Sequence, residues 1–338
     1  MLLEQSSTGH VWAEHYDGLR LHTLKQVSAL PCRKMPDGLP AFPTGAQVRD
    51  YLVDYRSAFD LDVREGVRVD AAHWTGREWQ LDTSSGSVEA RHLVAATGIW
   101  SRPVVPELPG LGEFRGDVVH SSRYRNAGPY VGRRVLVIGA GNSGCEIAVG
   151  LAAAGASVTI SVRGPVLFVP RPGSALASSL TAGALRVLPK AVGSRLVDRV
   201  RPDHSDLGLP PPSSRSVDVY PVVGDELPRA VRAGTVEVVG AAVGVHGDTV
   251  AFDDGAAHRF DAVVLATGFR PAIDWLDPTT LRLSDRGRPV VDRYSRSVLH
   301  HRLSCVGFDY PNTEGWLQAL GRVSTRAARG IEESLRAP

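Results

Sequence analysis

The stretch Val135-Leu136-Val137-Ile138-Gly139-Ala140-Gly141-Asn142-Ser143-Gly144 decides the fold of this 338-residue chain. Its first four residues form a continuous apolar run, which is typical of a buried parallel strand. Gly139 permits the tight turn out of that strand, Gly141 lets a pyrophosphate approach the backbone, and Gly144 lets the next helix pack against the strand. The sequence therefore predicts a dinucleotide-binding turn with Asn142 and Ser143 at the phosphates, against the alternative of a glycine-rich turn without a ligand.

A helix from Cys145 to about Ala154 and a second strand from Val158 to Val162 are predicted after this turn. Free N–H groups at the helix start face the phosphates. In such units an acid at the end of the second strand binds the 2′-hydroxyl of NAD. Here Arg163 stands 24 residues after Gly139, and we expect Ser161 to add a hydroxyl. A guanidinium suits a 2′-phosphate, so the sequence favours NADP, the alternative being a solvated surface arginine.

One sequence pattern occurs twice in the chain. A hairpin signal is followed by a buried strand in His92–Gly98 and again in Asp261–Gly268, and both strands end in Ala-Thr-Gly. An Arg-Pro pair follows each strand. The repeat predicts two dinucleotide-binding domains, with Thr97-Gly98 at one cofactor and Ala266-Thr267-Gly268 at the other.

The earlier copy has no glycine fingerprint within the sequence given. Leu2-Leu3-Glu4 resembles the end of a second strand, with Glu4 as the acid that holds a ribose, although a disordered terminus is the alternative. Spacings taken from the later copy put the missing first glycine about 20–30 residues before Met1. We therefore expect the reading frame to extend upstream through a strand, a GxGxxG turn and a helix, with a natural remnant as the alternative.

The composition excludes several classes of partner and location. A formal net charge of +2 is nearly balanced, which argues against a nucleic-acid or membrane partner. The three cysteines, Cys32, Cys145 and Cys305, form no CxxC pair, so the usual dithiol of disulfide reductases is excluded and a reducing, cytoplasmic location is expected. No apolar run approaches the roughly 20 residues of a membrane span. The start shows no signal peptide.

The stretch Phe114-Arg115-Gly116-Asp117-Val118-Val119-His120-Ser121-Ser122-Arg123-Tyr124 matches the pattern FxGxxxHxxx(Y/F). With Ser101-Arg102-Pro103 and Leu265-Ala266-Thr267-Gly268-Phe269, it makes the chain resemble class B flavin-containing monooxygenases, closest in pattern to the plant YUCCA-type enzymes. The resemblance implies an α/β fold with two Rossmann-like domains. A discontinuous, N-terminally truncated FAD domain would span residues 1–126 and 270–338, and an NADP domain residues 127–269.

The resemblance also implies a reaction carried by its cofactors, FAD and NADPH. NADPH reduces FAD, the reduced flavin takes up O2 as a C4a-hydroperoxide, and one oxygen atom enters a small organic substrate. Two alternatives are a flavin-dependent NADPH reductase or dehydrogenase and a truncated, non-catalytic NADP-binding remnant. The partners implied are a small-molecule substrate and O2, and a homo-oligomer is left open.

A further set of site residues rests on the same resemblance. The segment that wraps the flavin contains Trp12, Arg20, Leu21 and His22, and Val69 backs the adenine of FAD. His22 is expected beside the flavin ring as the catalytic residue. The alternatives are core packing for the tryptophan and a satisfied surface position for the histidine.

Two more residues are expected near NADP, each with a structural alternative. His120 would orient the linker or only make a hydrogen bond, and Arg171 would approach the nucleotide or only lie in a loop. Beyond them, residues 180–200 have helix-like apolar spacing. Residues 201–215 contain three consecutive prolines and predict an extended loop, either a lid or a surface excursion.

Overall fold

The computed structural model describes residues 1–171, 202–211, 220–285, 287–308 and 317–336. Contacts between residues divide the chain into two units. The first, called the split unit here, comprises Met1–Ala13, Thr23–Arg102 and Phe269–Pro338. The second, called the fingerprint unit, comprises Glu14–His22 and Pro103–Gly268 and contains the glycine-rich turn.

The described residues of the two units together contain short strands and five α-helices. The strands are β1 (Leu2–Glu4), β2 (Val63–Glu65), β3 (Val69–Trp74), β4 (Trp79–Thr83), β5 (Gly86–Ala90), β6 (Leu93–Ala95), β7 (Arg102–Pro103), β8 (Asp117–His120), β9 (Arg134–Ile138), β10 (Ser157–Ser161), β11 (Phe168–Val169), β12 (Val222–Val223), β13 (Val236–Val239), β14 (Ala242–His246), β15 (Thr249–Phe252), β16 (Ala257–Arg259), β17 (Ala262–Leu265), β18 (Phe269–Arg270) and β19 (Leu303–Cys305). The α-helices are α1 (His10–Ala13), α2 (Gly45–Ala58), α3 (Asn142–Ala153), α4 (Glu226–Arg232) and α5 (Leu317–Arg336). Single 3-10 turns occur at Lys25–Val27, Leu111–Glu113, Gly128–Tyr130, Ser205–Leu207 and Pro278–Thr280.

A five-stranded sheet forms the centre of the fingerprint unit. Its order is β13–β10–β9–β17–β8, and every neighbouring pair is parallel. Val135, Val137, Val263 and Val264 of β9 and β17 have no exposed surface, as expected for strands covered on both faces. The apolar run that was expected to form a buried parallel strand is thus confirmed as the central strand of this sheet.

Helix α3 begins earlier than the sequence predicts. Gly141 is extended, with φ −78° and ψ −178°, and serves as the N-cap, so the helix starts at Asn142 rather than at Cys145. The second strand is also displaced by one residue and ends at Ser161. Strand, turn, helix and strand nevertheless follow in the predicted order, which confirms the βαβ unit.

Both predicted hairpins are present. β4 pairs antiparallel with β5 around Gly86, whose φ is 108°, and β15 pairs antiparallel with β16 around Gly255, whose φ is 86°. Positive φ is the reason for glycine at these two turns. A third antiparallel strand completes each sheet, β3 in the split unit and β14 in the fingerprint unit.

The described parallel strands of the split unit form two separate pairs. β1 pairs with β2, and β6 pairs with β19. An apolar core that includes Trp79 and Leu303, both fully buried, packs around β6, β19 and the antiparallel sheet. Helix α2 starts with a capping box, because the Thr44 hydroxyl accepts from the Gln47 N–H and the Gln47 side chain accepts from the Thr44 N–H.

The observed unit boundaries differ from the expected domain boundaries. The first was expected after residue 126, but β8 is hydrogen-bonded to β17, so residues 103–126 belong with the fingerprint unit. The second falls after Gly268, one residue earlier than expected. Residues 14–22 also join the fingerprint unit, although the sequence analysis placed them in the FAD domain.

Among the described helices, none combines the length and apolar character needed to cross a bilayer. The predicted helical stretch at residues 180–200 lies outside the described residues. Of the proline-rich loop, residues 202–211 are described, and they contain the 3-10 turn Ser205–Leu207.

Candidate functional site

The glycine-rich turn has the geometry that the sequence predicts for a pyrophosphate cradle. Gly139 has φ 106°, and a Cβ there would lie 2.5 Å from the carbonyl oxygen of Ala266. A Cβ at Gly144 would lie 1.9 Å from the carbonyl oxygen of Gly139. At Gly141, by contrast, a Cβ would meet no atom within 4 Å. The first and third glycines are therefore required by backbone packing, and the second borders open space in which a phosphate fits.

The start of α3 adds hydrogen-bond donors to this cradle. Its N-cap, Gly141, offers no side chain to the first N–H groups, so the positive end of the helix faces the open space. The Asn142 side chain does not serve the ligand directly. Its amide donates to the Pro221 carbonyl at 2.8 Å and accepts from the Val223 N–H at 3.0 Å. Asn142 therefore contributes its backbone to the cradle, while its side chain fastens the segment at β12.

The two residues expected to select the nucleotide differ in role. Ser161 is 2% exposed, and its hydroxyl donates to the Gly240 carbonyl at 2.8 Å and accepts from the Ala242 N–H at 3.1 Å. Both of these bonds are made inside the protein, so the contact of Ser161 with the nucleotide stays a prediction. Arg163 is exposed two residues beyond it, with no hydrogen-bond or ion-pair partner among the described residues. A guanidinium in that position fits a 2′-phosphate.

Hydrogen bonds hold the residues at the end of β17 in a turn, and their contact with a ligand stays a prediction. Thr267 donates its hydroxyl to the Val104 carbonyl. His120 accepts from the Ser122 N–H at Nδ1, 3.1 Å, so its Nε2 carries the proton and donates to the Gly268 carbonyl at 3.2 Å. Burial lowers the pKa of His120. The neutral ring therefore ties β8 to the end of β17, which is the structural alternative given for this residue.

The rest of the motif Phe114–Tyr124 also has a packing explanation. Phe114 lies in an apolar cluster with residues of β14, β15 and β17. A Cβ at Gly116 would lie 2.3 Å from the carbonyl oxygen of Asp261, so only glycine fits beside that backbone. Tyr124 stacks on Tyr130 with ring centroids 5.8 Å apart. In this unit the motif builds the edge strand β8 and its contacts.

A carboxylate that the sequence analysis missed joins two parts of the fingerprint unit. Glu146, in the second turn of α3, accepts a hydrogen bond from the Tyr16 hydroxyl at Oε2, 2.6 Å. His22 Nε2 lies 2.6 Å from Oε1 of the same carboxylate. Burial, followed by the charge of Glu146, raises the pKa of Tyr16, which keeps the donor protonated. These partners are 130 and 124 residues away from Glu146 in sequence, so spacing could not reveal them.

The surroundings of this carboxylate connect it to the fingerprint. The side chain of Ser143, the second residue of α3, is close enough to Tyr16 to oppose the rise in the pKa of that hydroxyl. The Tyr16 ring meets Tyr124 edge-on at 6.3 Å. His22 was expected beside the flavin ring, whereas the contact seen within its own unit is with Glu146, so its position at a flavin stays a prediction. Leu21 beside it is 8% exposed, as a packing residue is.

Arg171 forms an ion pair that the sequence did not predict. Its guanidinium lies 2.9 Å from Oε1 of Glu226, the first residue of α4. The side chains of both residues remain partly exposed. Its approach to a nucleotide stays a prediction. The position of the exposed Arg20 at a flavin also stays a prediction, because nothing in the fingerprint unit tests it.

In the split unit, the residues expected at FAD fit only part of that cofactor. Glu4 ends β1, and its carboxylate accepts from the Ser6 N–H at 2.9 Å, as suits a ribose-binding acid at a strand end. Thr97 donates to the Ala272 carbonyl at 3.1 Å, and Gly98 has φ 70°. Trp12 lies in α1, and Val69 begins β3 beside the apolar core.

The pyrophosphate of FAD finds no matching cradle in that unit. Its described residues include no strand–GxGxxG–helix turn like the one at Gly139–Gly144. The helix that follows β1 most closely, α1, is only four residues long.

Comparison with known proteins identifies relatives over most of the chain. The profile of the flavin-binding monooxygenase-like family matches residues 4–294. Indole-3-pyruvate monooxygenase YUCCA6 of Arabidopsis thaliana is 32% identical over 315 residues, covering 86% of this chain and 75% of the relative. Indole-3-pyruvate monooxygenase YUCCA1 of Oryza sativa subsp. japonica is 32% identical over 296 residues, covering 81% and 72%.

Solved structures have the same fold. A flavin-containing monooxygenase from Stenotrophomonas maltophilia superposes with a TM-score of 0.76 at 24% identity, covering 99% of this chain and 90% of that one. Cyclohexanone monooxygenase bound to epsilon-caprolactone superposes with a TM-score of 0.73 at 19% identity, covering 98% and 82%. These likenesses confirm the α/β fold with parallel sheets that the sequence predicts.

Proposed function

The chain belongs to the flavin-binding monooxygenase-like family, and from that premise we propose how it carries out an NADPH- and FAD-dependent monooxygenation. One oxygen atom of O2 enters a small organic substrate. When bound, the two cofactors supply the hydride and the oxygen-activating chemistry. The observation that carries the proposal is the complete nucleotide cradle at Gly139–Gly144 with Arg163 at the end of the adjacent strand.

The residues of the fingerprint unit bind and orient the nicotinamide nucleotide. Gly141 leaves room for the pyrophosphate, and the first N–H groups of α3 donate to it. Arg163 pairs with the 2′-phosphate and so prefers NADPH to NADH. Asn142, His120 and Thr267 keep the backbone of the cradle in place through the hydrogen bonds described above. None of these groups acts as a nucleophile, which agrees with a reaction carried by cofactors.

The split unit is proposed to hold FAD. The residues assigned to it are those placed by resemblance: Glu4, Trp12, Val69, Thr97 and Gly98 in this unit, with Arg20, Leu21 and His22 from the neighbouring segment. Glu4 supports the assignment most directly, because its carboxylate ends a parallel strand. A flavin-absorbance titration compares wild type with Glu4→Gln, and the assignment predicts weaker FAD binding in the variant. Equal affinities would remove Glu4 from the site.

The substrate class is proposed from the named relatives. The Arabidopsis thaliana and Oryza sativa proteins are indole-3-pyruvate monooxygenases, so a 2-oxo acid with an aromatic side chain is the first candidate. The test measures product and NADPH consumption with indole-3-pyruvate, an aliphatic 2-oxo acid, a tertiary amine and a thioether. Product from an amine or thioether alone would overturn this choice while leaving the monooxygenase assignment intact.

Nucleotide selection offers the sharpest test of the site. Arg163→Ala should weaken NADPH binding about 10- to 100-fold, because a charge-assisted contact with a phosphate contributes about 1.5–3 kcal/mol. NADH binding should change little, since NADH has no 2′-phosphate. Arg229→Ala is the matched control, because Arg229 is an exposed arginine of α4 that pairs with Asp225. Equal losses for both nucleotides in a fluorescence titration would contradict the role of Arg163.

A cytoplasmic location completes the proposal. Cys32, Cys145 and Cys305 form no disulfide. Free thiols are typical of a reducing compartment. Fractionation of the source cells with an antibody to the protein would test the location, and recovery from an oxidising compartment would contradict it.

A further inference from the structure

The carboxylate of Glu146 has a partner at each of its two oxygens. The Tyr16 hydroxyl donates to Oε2, and His22 Nε2 lies 2.6 Å from Oε1. Tyr16 is 7% exposed, and the side chains of His22 and Glu146 are 21% and 27% exposed. Both carboxylate oxygens are thus engaged in a site that is largely shielded from solvent.

The hydrogen-bonding capacity of these groups fixes the tautomer of His22. An ionised carboxylate only accepts, so the ring nitrogen 2.6 Å from Oε1 must carry a proton. In the neutral ring Nδ1 is then an acceptor. Among the described residues, Nδ1 has no hydrogen-bond partner. The pair therefore offers one ring nitrogen of defined proton state to a bound molecule.

We propose that Glu146 is a positioning residue that holds His22 as the Nε2–H tautomer and presents Nδ1 as the hydrogen-bond acceptor for a ligand of the fingerprint unit. This inference rests on the proposed function, because the ligand expected there is the nicotinamide nucleotide or the substrate beside it. Tyr16 is the second positioning residue, since it occupies the oxygen that His22 does not use.

The location of Glu146 gives the pair a route to the nucleotide site. Glu146 lies on the helix whose first residues form the phosphate cradle, two residues after Gly144. Segment 14–22 contacts this helix through Tyr16 and His22, which both bind the Glu146 carboxylate. A ligand that orders the start of α3 therefore also orders the Glu146 carboxylate, which fixes the tautomer of His22.

The titratable groups near Glu146 include Tyr16, His22, His15, the thiol of Cys145 and Glu226, which lines the same cavity. Burial lowers the pKa of His15, and burial raises the pKa of both Tyr16 and Cys145. All three are therefore neutral near pH 7.

The experiment measures the ring nitrogens of His22 by long-range proton–nitrogen NMR in the ligand-free chain at a pH of about 8.5, above the ordinary range of histidine titration. Wild type should show a protonated Nε2 and an unprotonated Nδ1. Glu146→Gln should lose this preference, because its amide can donate to Nε2 as well as accept from it. Tyr16→Phe should keep the wild-type pattern. A wild-type ring protonated at Nδ1, or an unchanged pattern in Glu146→Gln, would overturn the proposal.

Two further readouts separate positioning from support of the fold. Saturation with NADP should shift the Nδ1 resonance in wild type, and no shift with NADP or with indole-3-pyruvate would overturn the presentation to a ligand. Glu146→Gln should also lower the product formed per NADPH consumed, because the ring nitrogen presented to the ligand is then no longer fixed. A merely structural carboxylate would lower the melting temperature without moving the ring resonances or the yield. If wild type forms no oxygenated product, the proposed function fails, and the NMR result still decides the role of Glu146.

Discussion

The two units share a strand ending but differ in the structure that surrounds it. β6 in the split unit and β17 in the fingerprint unit both run into Ala-Thr-Gly, both glycines have positive φ, and both threonines donate to a carbonyl of a neighbouring segment. β17 lies inside a five-stranded sheet beside a glycine cradle, whereas β6 pairs with β19 in a two-stranded sheet of the described residues. The two units therefore share the strand ending and differ in the sheet around it and in the glycine-rich turn beside it.

The largest expected effect breaks the cradle itself. Gly144→Ala places a Cβ 1.9 Å from the Gly139 carbonyl oxygen, a backbone atom that cannot move aside without opening the turn. We expect a loss of about 3 kcal/mol in unfolding free energy or more, at the upper end of overpacking effects, and no measurable NADPH binding. Thermal melts and nucleotide titrations measure both quantities.

Gly150→Ala is the matched control for this change. Gly150 lies in the same helix, and a Cβ there meets no atom within 4 Å. Alanine should stabilise this helix position by about 0.5–1 kcal/mol. If both variants bind NADPH like wild type, the turn is not the phosphate site and the contrast between the two units disappears.

A pH effect is expected from the split unit. The Ser334 hydroxyl donates to the Ile331 carbonyl, so it accepts from His92 Nδ1 at 2.8 Å, and Ser304 donates to Nε2 at 3.0 Å. Burial, followed by the positive charge of Arg302, lowers the pKa of His92 to about 4. Because the unfolded chain binds this proton near pH 6.5 and the folded chain only near pH 4, stability falls as the pH decreases between these values.

The expected effect of pH on stability is smaller than the full pKa shift of His92, and a His92 variant is its control. The ring is partly exposed, so we expect a loss of about 1–2 kcal/mol between pH 7 and pH 4 rather than the full value of the shift. Urea unfolding at a series of pH values, in wild type and in His92→Asn, isolates the contribution of this histidine. Identical pH profiles would show that the contact between β6, β19 and α5 does not depend on a neutral ring.

The two threonines test whether the shared ending is equally important in both units. Thr267→Val removes a partly buried hydrogen bond to Val104 and should cost about 1 kcal/mol, and Thr97→Val removes a more exposed bond to Ala272 and should cost less. Chemical unfolding of the pair of variants measures the difference. A larger loss for Thr97→Val would reverse the expected ranking of the two turns.

The smallest effect is expected from two exposed ion pairs, one in each unit. Arg134 lies 2.7 Å from Asp261 in the fingerprint unit, and Arg102 lies 2.7 Å from Asp274 in the split unit. Hydrogen bonds from Arg134 lower the pKa of Asp261 to about 2. Solvent screening limits the gain, so Asp261→Asn and Asp274→Asn should each change stability by less than about 1 kcal/mol. A salt-insensitive loss well above that value would show that a pair is effectively buried.

The sequence predicted what local chemistry determines. Glycine at 139 and 144 follows from backbone contacts within one turn, and the hairpins at Gly86 and Gly255 follow from positive φ, so short-range patterns were sufficient. The family and its cofactors followed from motifs spread over the chain. These features depend on few residues at fixed spacing.

The sequence could not predict contacts between distant segments. Ser161 and Asn142 occupy positions typical of nucleotide contacts, yet their side chains bind backbone groups 79 to 81 residues away. Glu146, Tyr16 and His22 meet only because residues 14–22 join the fingerprint unit. The parallel pairing of β8 with β17, which joins residues 103–126 to the fingerprint unit, also has no local signal in the sequence.

The membership of residues 14–22 has a consequence for protein engineering. A transplant of the nucleotide-binding half into a homologous scaffold, cut at the continuous block 103–268, would leave out Tyr16 and His22. Glu146 would then lose the donors to both of its oxygens, and the exchanged half would arrive with an unpaired carboxylate on its first helix. Recombination libraries for this scaffold therefore need a linked pair of crossover points, one near the amino terminus and one near residue 103, inherited together.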